Sequence, residues 1–157
     1  MSAHRTTVTW TLAVGGDEFL KRRYSRVHRI AMEGGAEMVG TPSPAVVPAP
    51  WSQADAVDPE GAFTAALSAC HMLWFLDHAV SAGFVVTSYV DQAEGTLGRI
   101  APGKMGMTRV VLRPVVEFAG DERPSAGELE RLHHAAHADC FIANSVTTEV
   151  VVERPAP

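Results

Sequence analysis

The feature that most constrains the fold is a long apolar helix signal over residues 57–83, VDPEGAFTAALSACHMLWFLDHAVSAG. Asp58 is a favourable N-cap, and Pro59 suits the first helical position, where an N–H would have no partner within the helix. Gly83 is typical of the position just after a helix C-terminus. Because a helix that is apolar on all sides is normally buried, the sequence predicts an interior helix with Cys70 near its middle.

This helix is not a membrane span, because Glu60, His71 and His78 interrupt its apolar run. With 157 residues, 46% of them hydrophobic, the chain can bury a core and is expected to form one domain, residues 1–157. A net charge of −5 without a basic run argues against nucleic acid as a partner. The polar start, without an apolar signal segment, and the two widely spaced cysteines predict a cytoplasmic protein with reduced thiols.

Segments rich in β-branched and aromatic residues predict strands on both sides of the helix. The expected strands cover residues 6–14, 19–32, 36–40, 84–90, 105–118 and 146–153, with residues 91–98 extending the fourth as a twisted or bulged segment. The first three form an antiparallel meander, and the proline-rich residues 41–56 form an extended connection. Helices that interrupt antiparallel strands predict an α+β fold.

A second helix is predicted by the capping box of Ser125 and Glu128, after a polar loop at residues 121–124. Cys140 continues the apolar spacing of this helix and therefore falls on its buried side. A disulfide between Cys70 and Cys140 requires Cα atoms within about 7 Å of each other, a distance that the sequence does not supply. Two unrelated core thiols are the simpler alternative.

Cys70 is a candidate nucleophile if a cation stabilises its thiolate. Arg26 and Arg29 are the candidate cations, although arginines in strand-like sequence commonly lie on a solvated face. Glu60 is a candidate partner for such an arginine. Since Glu60 and Cys70 lie about 15 Å apart along one helix, either an arginine bridges them or one of the groups comes from a second chain.

The histidines give a weaker signal. His133 and His137 have the i, i+4 spacing that puts two imidazoles on one helix face, so a metal site is one interpretation of this pair. No HExxH pattern or paired CxxC accompanies them, and surface histidines are the favoured interpretation. No metal and no cofactor are expected. His71 either tunes the neighbouring Cys70 or is a hydrogen-bonded helical histidine that faces away from it.

The run Asp58-Pro59-Glu60, the later Ala69-Cys70-His71 and the segment ADCFIANSV around the second cysteine together resemble the OsmC/Ohr family of thiol peroxidases. The resemblance extends over nearly the whole chain. It is nearest to an OsmC-like branch with histidine after the first cysteine, where Ohr proteins usually have phenylalanine. It implies an intertwined homodimer of antiparallel sheets with two long central helices and two active sites at the interface.

Within this resemblance, Cys70 corresponds to the peroxidatic cysteine, which attacks a peroxide and becomes a sulfenic acid. Cys140 corresponds to the resolving cysteine, which condenses with it to a disulfide. Glu60 corresponds to the acidic residue that positions an arginine against the thiolate. Arg26 is the first choice for that arginine, because the predicted strand puts it on one face with Tyr24 and His28, and Arg29 is the alternative.

The resemblance implies reduction of organic or fatty-acid hydroperoxides to alcohols in oxidative-stress defence, with a dithiol reductant such as a lipoylated protein. An apolar setting for Cys70, formed by Phe63, Leu67 and Trp74, suits such substrates. The alternative is a non-catalytic protein of the same fold that binds a small apolar ligand or a metal at the dimer interface. A redox sensor is a third interpretation, but the sequence contains no recognisable output element.

Overall fold

A computed structural model of the protein describes residues 1–120 and 122–153. Asp121, the first residue of the polar loop predicted at residues 121–124, lies outside this part, as do residues 154–157. The chain forms two compact units, Met1–Ala62 and Phe63–Pro157, and each is described by itself. None of the helices in the described residues is long and apolar enough to cross a membrane.

The first unit contains a three-stranded antiparallel sheet with the order β1-β2-β3. Its strands are β1 (Thr6–Thr9), β2 (His28–Met32) and β3 (Glu37–Gly40). Ile30 lies opposite Val8 on one side and opposite Met38 on the other. The predicted antiparallel meander is therefore confirmed, and residues 41–56 contain neither helix nor strand, as their prolines indicated.

The prediction of one strand over residues 19–32 is wrong in its first part. A short helix, α1 (Gly16–Leu20), forms instead, with Asp17 and Glu18 in the first turn, where the helix dipole favours negative charge. Because β2 begins only at His28, Tyr24 and Arg26 precede the strand, although both line the same cleft as that histidine. Strand β1 is likewise shorter than the predicted residues 6–14.

Helix α2 (Pro59–Ser81) follows the predicted bounds closely. The Asp58 Oδ1 atom accepts a hydrogen bond of 2.7 Å from the Gly61 N–H, and Gly83 has the positive φ of 83° that favours glycine after a helix. The prediction that α2 is buried on all sides is wrong for the single chain. One face is buried, and the opposite face is apolar but exposed, with Leu73 at 62%.

The second unit contains two sheets. Its strands are β4 (Val86–Asp91), β5 (Glu94–Ala101), β6 (Lys104–Leu112), β7 (Pro114–Phe118) and β8 (Glu149–Val152). Strands β4 and β7 pair antiparallel in one sheet. In the other, with the order β5-β6-β8, β5 pairs antiparallel with β6, and β6 pairs parallel with β8.

Three strand predictions need correction here. Residues 91–98 do not continue β4, because β5 starts at Glu94 and joins the other sheet. The single strand predicted over residues 105–118 divides at Arg113, just before Pro114, since proline cannot donate a ladder hydrogen bond. The last strand begins at Glu149 and runs parallel to β6, whereas the prediction was antiparallel throughout.

Helix α3 (Ala126–Asp139) begins at the predicted capping box. The Ser125 Oγ atom accepts from the Glu128 N–H at 3.3 Å, and a Glu128 carboxylate oxygen accepts from the Ser125 N–H at 2.8 Å. Phe75 and Ala79 of α2 pack with Leu132 and Ala136 of α3 in one buried cluster. A second cluster joins Leu67 of α2 to Val110 and Leu112 of β6. The α+β architecture with antiparallel sheets and two long helices is confirmed.

Candidate active site

The two cysteines meet where the second unit brings α2 and α3 together. Cys70 lies near the middle of α2 and is half-buried, whereas Cys140 caps the C-terminus of α3 and is 1% exposed. Both are free thiols, and they lie close enough for the Cys70 side chain to raise the pKa of the Cys140 thiol. The backbone N–H of Ala143 also approaches the Cys140 Sγ atom at 3.4 Å. The two thiols are therefore neighbours, which is the arrangement that a disulfide between them requires.

Burial and, to a smaller extent, the adjacent Cys70 side chain raise the pKa of the Cys140 thiol to about 11. The backbone N–H groups of Ala143 and Ile142 oppose the shift by donating to Cys140. Cys140 is consequently protonated at neutral pH and is a poor attacking nucleophile in this state, since the thiolate is the reactive form. Cys70 is the more exposed of the two residues.

Aromatic side chains line one side of the thiol pair. Trp74 lies one helical turn after Cys70, and its ring meets that of Phe141 edge to face at a centroid distance of 5.3 Å. Phe141 directly follows Cys140 and is 68% exposed. Of the predicted apolar setting, Leu67 is a fully buried core residue and Phe63 packs against the same cluster. Trp74 and Phe141 therefore supply the accessible apolar surface.

A half-buried carboxylate, that of Asp91, holds α2 against the strands just before Cys70. The Ser68 hydroxyl donates to Asp91 Oδ2 at 2.5 Å, and the backbone N–H of Arg113 donates to Asp91 Oδ1 at 2.6 Å. The Arg113 guanidinium is in turn paired with Glu94 and Glu153. Because charge-assisted hydrogen bonds are short and directional, this network limits movement of α2 at the level of the thiol.

The sequence is compatible with two roles for His71, one that tunes Cys70 and one that faces away from it. The structure shows a third arrangement, in which His71 pairs with His133. His71 is 1% exposed, and its Nε2 lies 3.1 Å from Nδ1 of His133, with the two rings stacked at an interplanar angle of 9°. Burial, together with His133 and His137, lowers the pKa of His71 to about 4, so it is neutral at pH 7. The expectation that His133 is a surface residue is wrong, since it is 6% exposed.

The buried histidine pair was missed, although α3 contains a signal for it. Leu129, His133, Ala136 and Cys140 are spaced by four, three and four residues, which is the pattern of one helix face. His133 therefore lies on the apolar stripe of α3. Within the described residues, no group of three or more His, Cys, Asp and Glu side chains is arranged to hold a metal ion.

The candidate arginines differ clearly within the first unit. Arg26 is half-buried, donates to the Tyr24 carbonyl oxygen at 3.2 Å and places its guanidinium 4.1 Å from the centroid of the Tyr24 ring. It borders an apolar cleft of about 360 Å³ that is lined also by Val8, Trp10, Phe19, Tyr24 and His28. Arg29 is exposed and paired with Glu37. Arg26 is thus the arginine held in an apolar setting.

Glu60 is half-buried in the first turn of α2, as predicted. It lies about 15 Å from Cys70 along the helix axis, which is too far for direct contact with the thiol. Among the described residues, none of the ion pairs includes Arg26, and its guanidinium donates to the Tyr24 carbonyl oxygen and lies over the Tyr24 ring. The roles of Glu60 and Arg26 toward the thiolate therefore stay predictions.

Solved structures of other proteins share this fold over nearly the whole chain. An OsmC-like protein from Vibrio cholerae, of unknown function, is 48% identical, with a TM-score of 0.94 and coverage of 99% of this chain and 100% of the other. An organic hydroperoxide resistance protein from Elizabethkingia anophelis is 20% identical, with a TM-score of 0.71 and coverage of 99% and 98%. The organic hydroperoxide resistance protein OhrB of Bacillus subtilis is 17% identical, with a TM-score of 0.67 and coverage of 98% of each chain.

The two hydroperoxide resistance proteins share the fold with this chain, and their identities are too low for the likeness to extend further. A comparison with curated proteins gave no match. The family model described as OsmC-like protein matches residues 52–154, a segment that includes both cysteines and all of α2 and α3. On this match and on the 48% identity to the Vibrio cholerae protein, the chain belongs to the OsmC-like family.

Proposed function

We propose that this protein is a thiol peroxidase that reduces organic hydroperoxides to alcohols, as the resemblance to the OsmC/Ohr family implies. The observation that carries the proposal is the close pair of a half-buried thiol, Cys70, and a fully buried one, Cys140. This asymmetry suits a cycle in which one sulfur meets the substrate and the other acts only afterwards.

In the proposed first step, the Cys70 thiolate attacks the terminal peroxide oxygen, the O–O bond breaks, and the alkoxide leaves and is protonated to the alcohol. Cys70 is then a sulfenic acid. In the second step, the Cys140 sulfur attacks the Cys70 sulfur, the S–O bond breaks, and the hydroxide leaves as water with the Cys140 proton. The resulting disulfide is reduced by an external dithiol, such as a lipoylated protein, to restore both thiols.

The proposal is tested by mixing the fully reduced protein with cumene hydroperoxide or hydrogen peroxide in a stopped-flow instrument, followed by thiol counting. We expect one equivalent of hydroperoxide to remove both thiols. Cumene hydroperoxide should react about tenfold faster or more, because Trp74 and Phe141 offer apolar surface to its aromatic group. Thiols that stay reduced under stoichiometric hydroperoxide would favour the alternative, a non-catalytic protein that binds a small apolar ligand.

The proposal includes Arg26 as the cation that stabilises the Cys70 thiolate and Glu60 as the carboxylate that orients it. Arg26 is favoured because it is half-buried and its guanidinium lies over the Tyr24 ring, whereas Arg29 is exposed and paired with Glu37. In the same assay, Arg26→Met should react about a hundredfold more slowly, and Arg29→Met within about twofold of wild type. The opposite order of the two variants would assign the role to Arg29.

We also propose that the protein acts as a homodimer. The exposed face of α2 supports this, because it carries an uncharged stripe at helical spacing that consists of Ala65, Ala66, Ala69 and Leu73, with the exposed Asp77 separating this stripe from Val80. Leu73 and Val80 are 62% and 74% exposed. An exposed apolar helix surface of this kind commonly marks a protein–protein contact. A second copy of α2 offers a matching uncharged surface, as a two-fold interface requires.

Leu73→Glu is expected to convert the dimer to a monomer, raising its dissociation constant at least about a hundredfold, because each copy would bury an unpaired carboxylate. Analytical ultracentrifugation at several protein concentrations measures the change. Leu20→Glu is the matched control, since Leu20 is 80% exposed and lies in α1. Equal dissociation constants for wild type and Leu73→Glu would exclude this face of α2 as the interface.

A further inference from the structure

The buried histidine pair has a structural cost that packing does not explain. Each imidazole is removed from water, and His71 Nδ1 has no hydrogen-bond partner in the part of the chain that the structure describes. An unsatisfied buried polar atom costs about 1–3 kcal/mol. Apolar side chains of similar volume would fill the space without this cost, as Phe75, which stacks on His133 at a centroid distance of 4.4 Å, already does beside them.

The histidine pair supplies a directional interaction between the helices, which apolar packing does not. A hydrogen bond weakens steeply when its angle or distance changes, whereas apolar contacts tolerate sliding and rotation. Unpartnered buried N–H groups are rarer than unpartnered acceptors, so the favoured tautomer has the His71 Nε2–H donating to His133 Nδ1. This bond sets both the separation and the rotation of α2 relative to α3.

The position of the bond links it to the cysteines. His71 directly follows Cys70 on α2, so a rotation of α2 that breaks the bond also moves the Cys70 sulfur. His133 lies about 10 Å before Cys140 along the axis of α3. A second link between the helices, His78 Nε2 to Asp139 Oδ2 at 2.9 Å, is more exposed and therefore weaker. The buried pair is thus the stronger directional link between the two cysteine-bearing helices.

We propose that the His71–His133 hydrogen bond positions Cys70 and Cys140 for disulfide formation by fixing the rotation of α2 against α3. Disulfides require narrow sulfur–sulfur and Cβ–Cβ geometry, so a small helix rotation slows or weakens the bond. The inference rests on the proposed function, in which the Cys70 sulfenic acid and the Cys140 thiol form a disulfide and water. When the sulfurs are misplaced, a second hydroperoxide instead oxidises the sulfenic acid to sulfinic acid and is reduced to the alcohol.

The test compares His71→Gln, which keeps a donor near the position of Nε2, with His71→Met, which has similar length and no donor. Each variant is equilibrated in glutathione redox buffers, and the effective concentration of one thiol toward the other is obtained from the disulfide fraction. We expect His71→Met to lower the effective concentration about tenfold and His71→Gln to stay within about threefold of wild type. The partner variant His133→Leu should match His71→Met, and their combination should add little.

Leu132→Val is the control for general loosening, because Leu132 packs in the same α2–α3 cluster without contributing a hydrogen bond. It should lower the melting temperature and leave the effective concentration within about twofold of wild type. The inference is overturned if His71→Met and His133→Leu both keep the wild-type effective concentration, or if His71→Gln loses as much as His71→Met. If His71→Met does not fold, His133→Leu decides on its own.

Failure of the proposed function is distinguishable from failure of this inference. The glutathione equilibrium needs no hydroperoxide, so it reports the placement of the sulfurs even in a protein without peroxidase activity. As a second readout in an active protein, excess cumene hydroperoxide should give His71→Met a larger sulfinic acid fraction by mass spectrometry than His71→Gln. An equal fraction in the two variants counts against positioning by the hydrogen bond.

Discussion

Cys70→Ser is expected to abolish hydroperoxide reduction, lowering the second-order rate constant at least about a thousandfold. A serine hydroxyl is not ionised near neutral pH and is a far weaker nucleophile than a thiolate toward peroxide oxygen. The rate is measured as hydroperoxide consumption by the reduced protein with excess dithiol. Residual activity above about a tenth of the wild-type value would exclude Cys70 as the attacking sulfur.

Cys140→Ser is the matched variant and should behave differently. Because Cys140 is buried and its thiol pKa is raised to about 11, its removal should leave the first oxidation of Cys70 intact and stop the disulfide. One equivalent of hydroperoxide should then add one oxygen to Cys70, and excess should add a second, which intact-protein mass spectrometry resolves. If Cys140→Ser instead blocked the first oxidation, the assignment of the two cysteines would be reversed.

The second large effect concerns acid stability. Burial lowers the pKa of His71 to about 4, below the ordinary value of 6.5 that it regains on unfolding. Between these pH values the unfolded chain binds a proton that the folded chain does not, so stability falls as the pH falls through this window. The difference corresponds to about 3 kcal/mol of unfolding free energy, fully present above pH 6.5 and lost by pH 4.

Urea denaturation at intervals between pH 7 and pH 4 measures this loss. His71→Gln removes the titrating imidazole and keeps a hydrogen-bond donor, so its unfolding free energy should decline less steeply over the same window. His133 and His137 lie near enough to lower the pKa of His71 and remain in the variant, which makes it a control for their contribution. Parallel pH profiles for the wild type and His71→Gln would show that His71 is not the source of the acid sensitivity.

Local signals in the sequence predicted the two long helices well. Asp58, Pro59 and Gly83 mark the bounds of α2, and the Ser125–Glu128 capping box marks the start of α3. These signals work because a helix end is completed by side chains within a few residues of it. The same locality explains the pairing of β2 with β3, which are joined by the short turn 33–36, whereas β1 and β2 are separated by residues 10–27 and α1.

The errors lie where distant parts of the chain decide the structure. The division at Arg113 sends β6 and β7 to different sheets, and β8 pairs parallel with β6 across the whole of α3. Pro114 marks the position of the division, but neither the separation of β6 and β7 into two sheets nor the parallel pairing of β8 has a nearby signal, because strand pairing depends on partners far along the chain. The uniformly apolar composition of α2 likewise does not reveal which of its faces the strands and α3 cover.

The candidate site likewise has features that the sequence predicts and features that depend on tertiary packing. Its two cysteines could be identified from residue type, helical spacing and the resemblance of their flanking segments. Their adjacency, the protonated state of Cys140 and the buried bond between His71 and His133 depend on how α2 packs against α3. The sequence by itself determined the helices and the two sulfurs, since short-range capping and periodicity are sufficient for these. Only the tertiary structure decided which side chains meet between the helices, because desolvation and hydrogen-bond geometry exist only after packing.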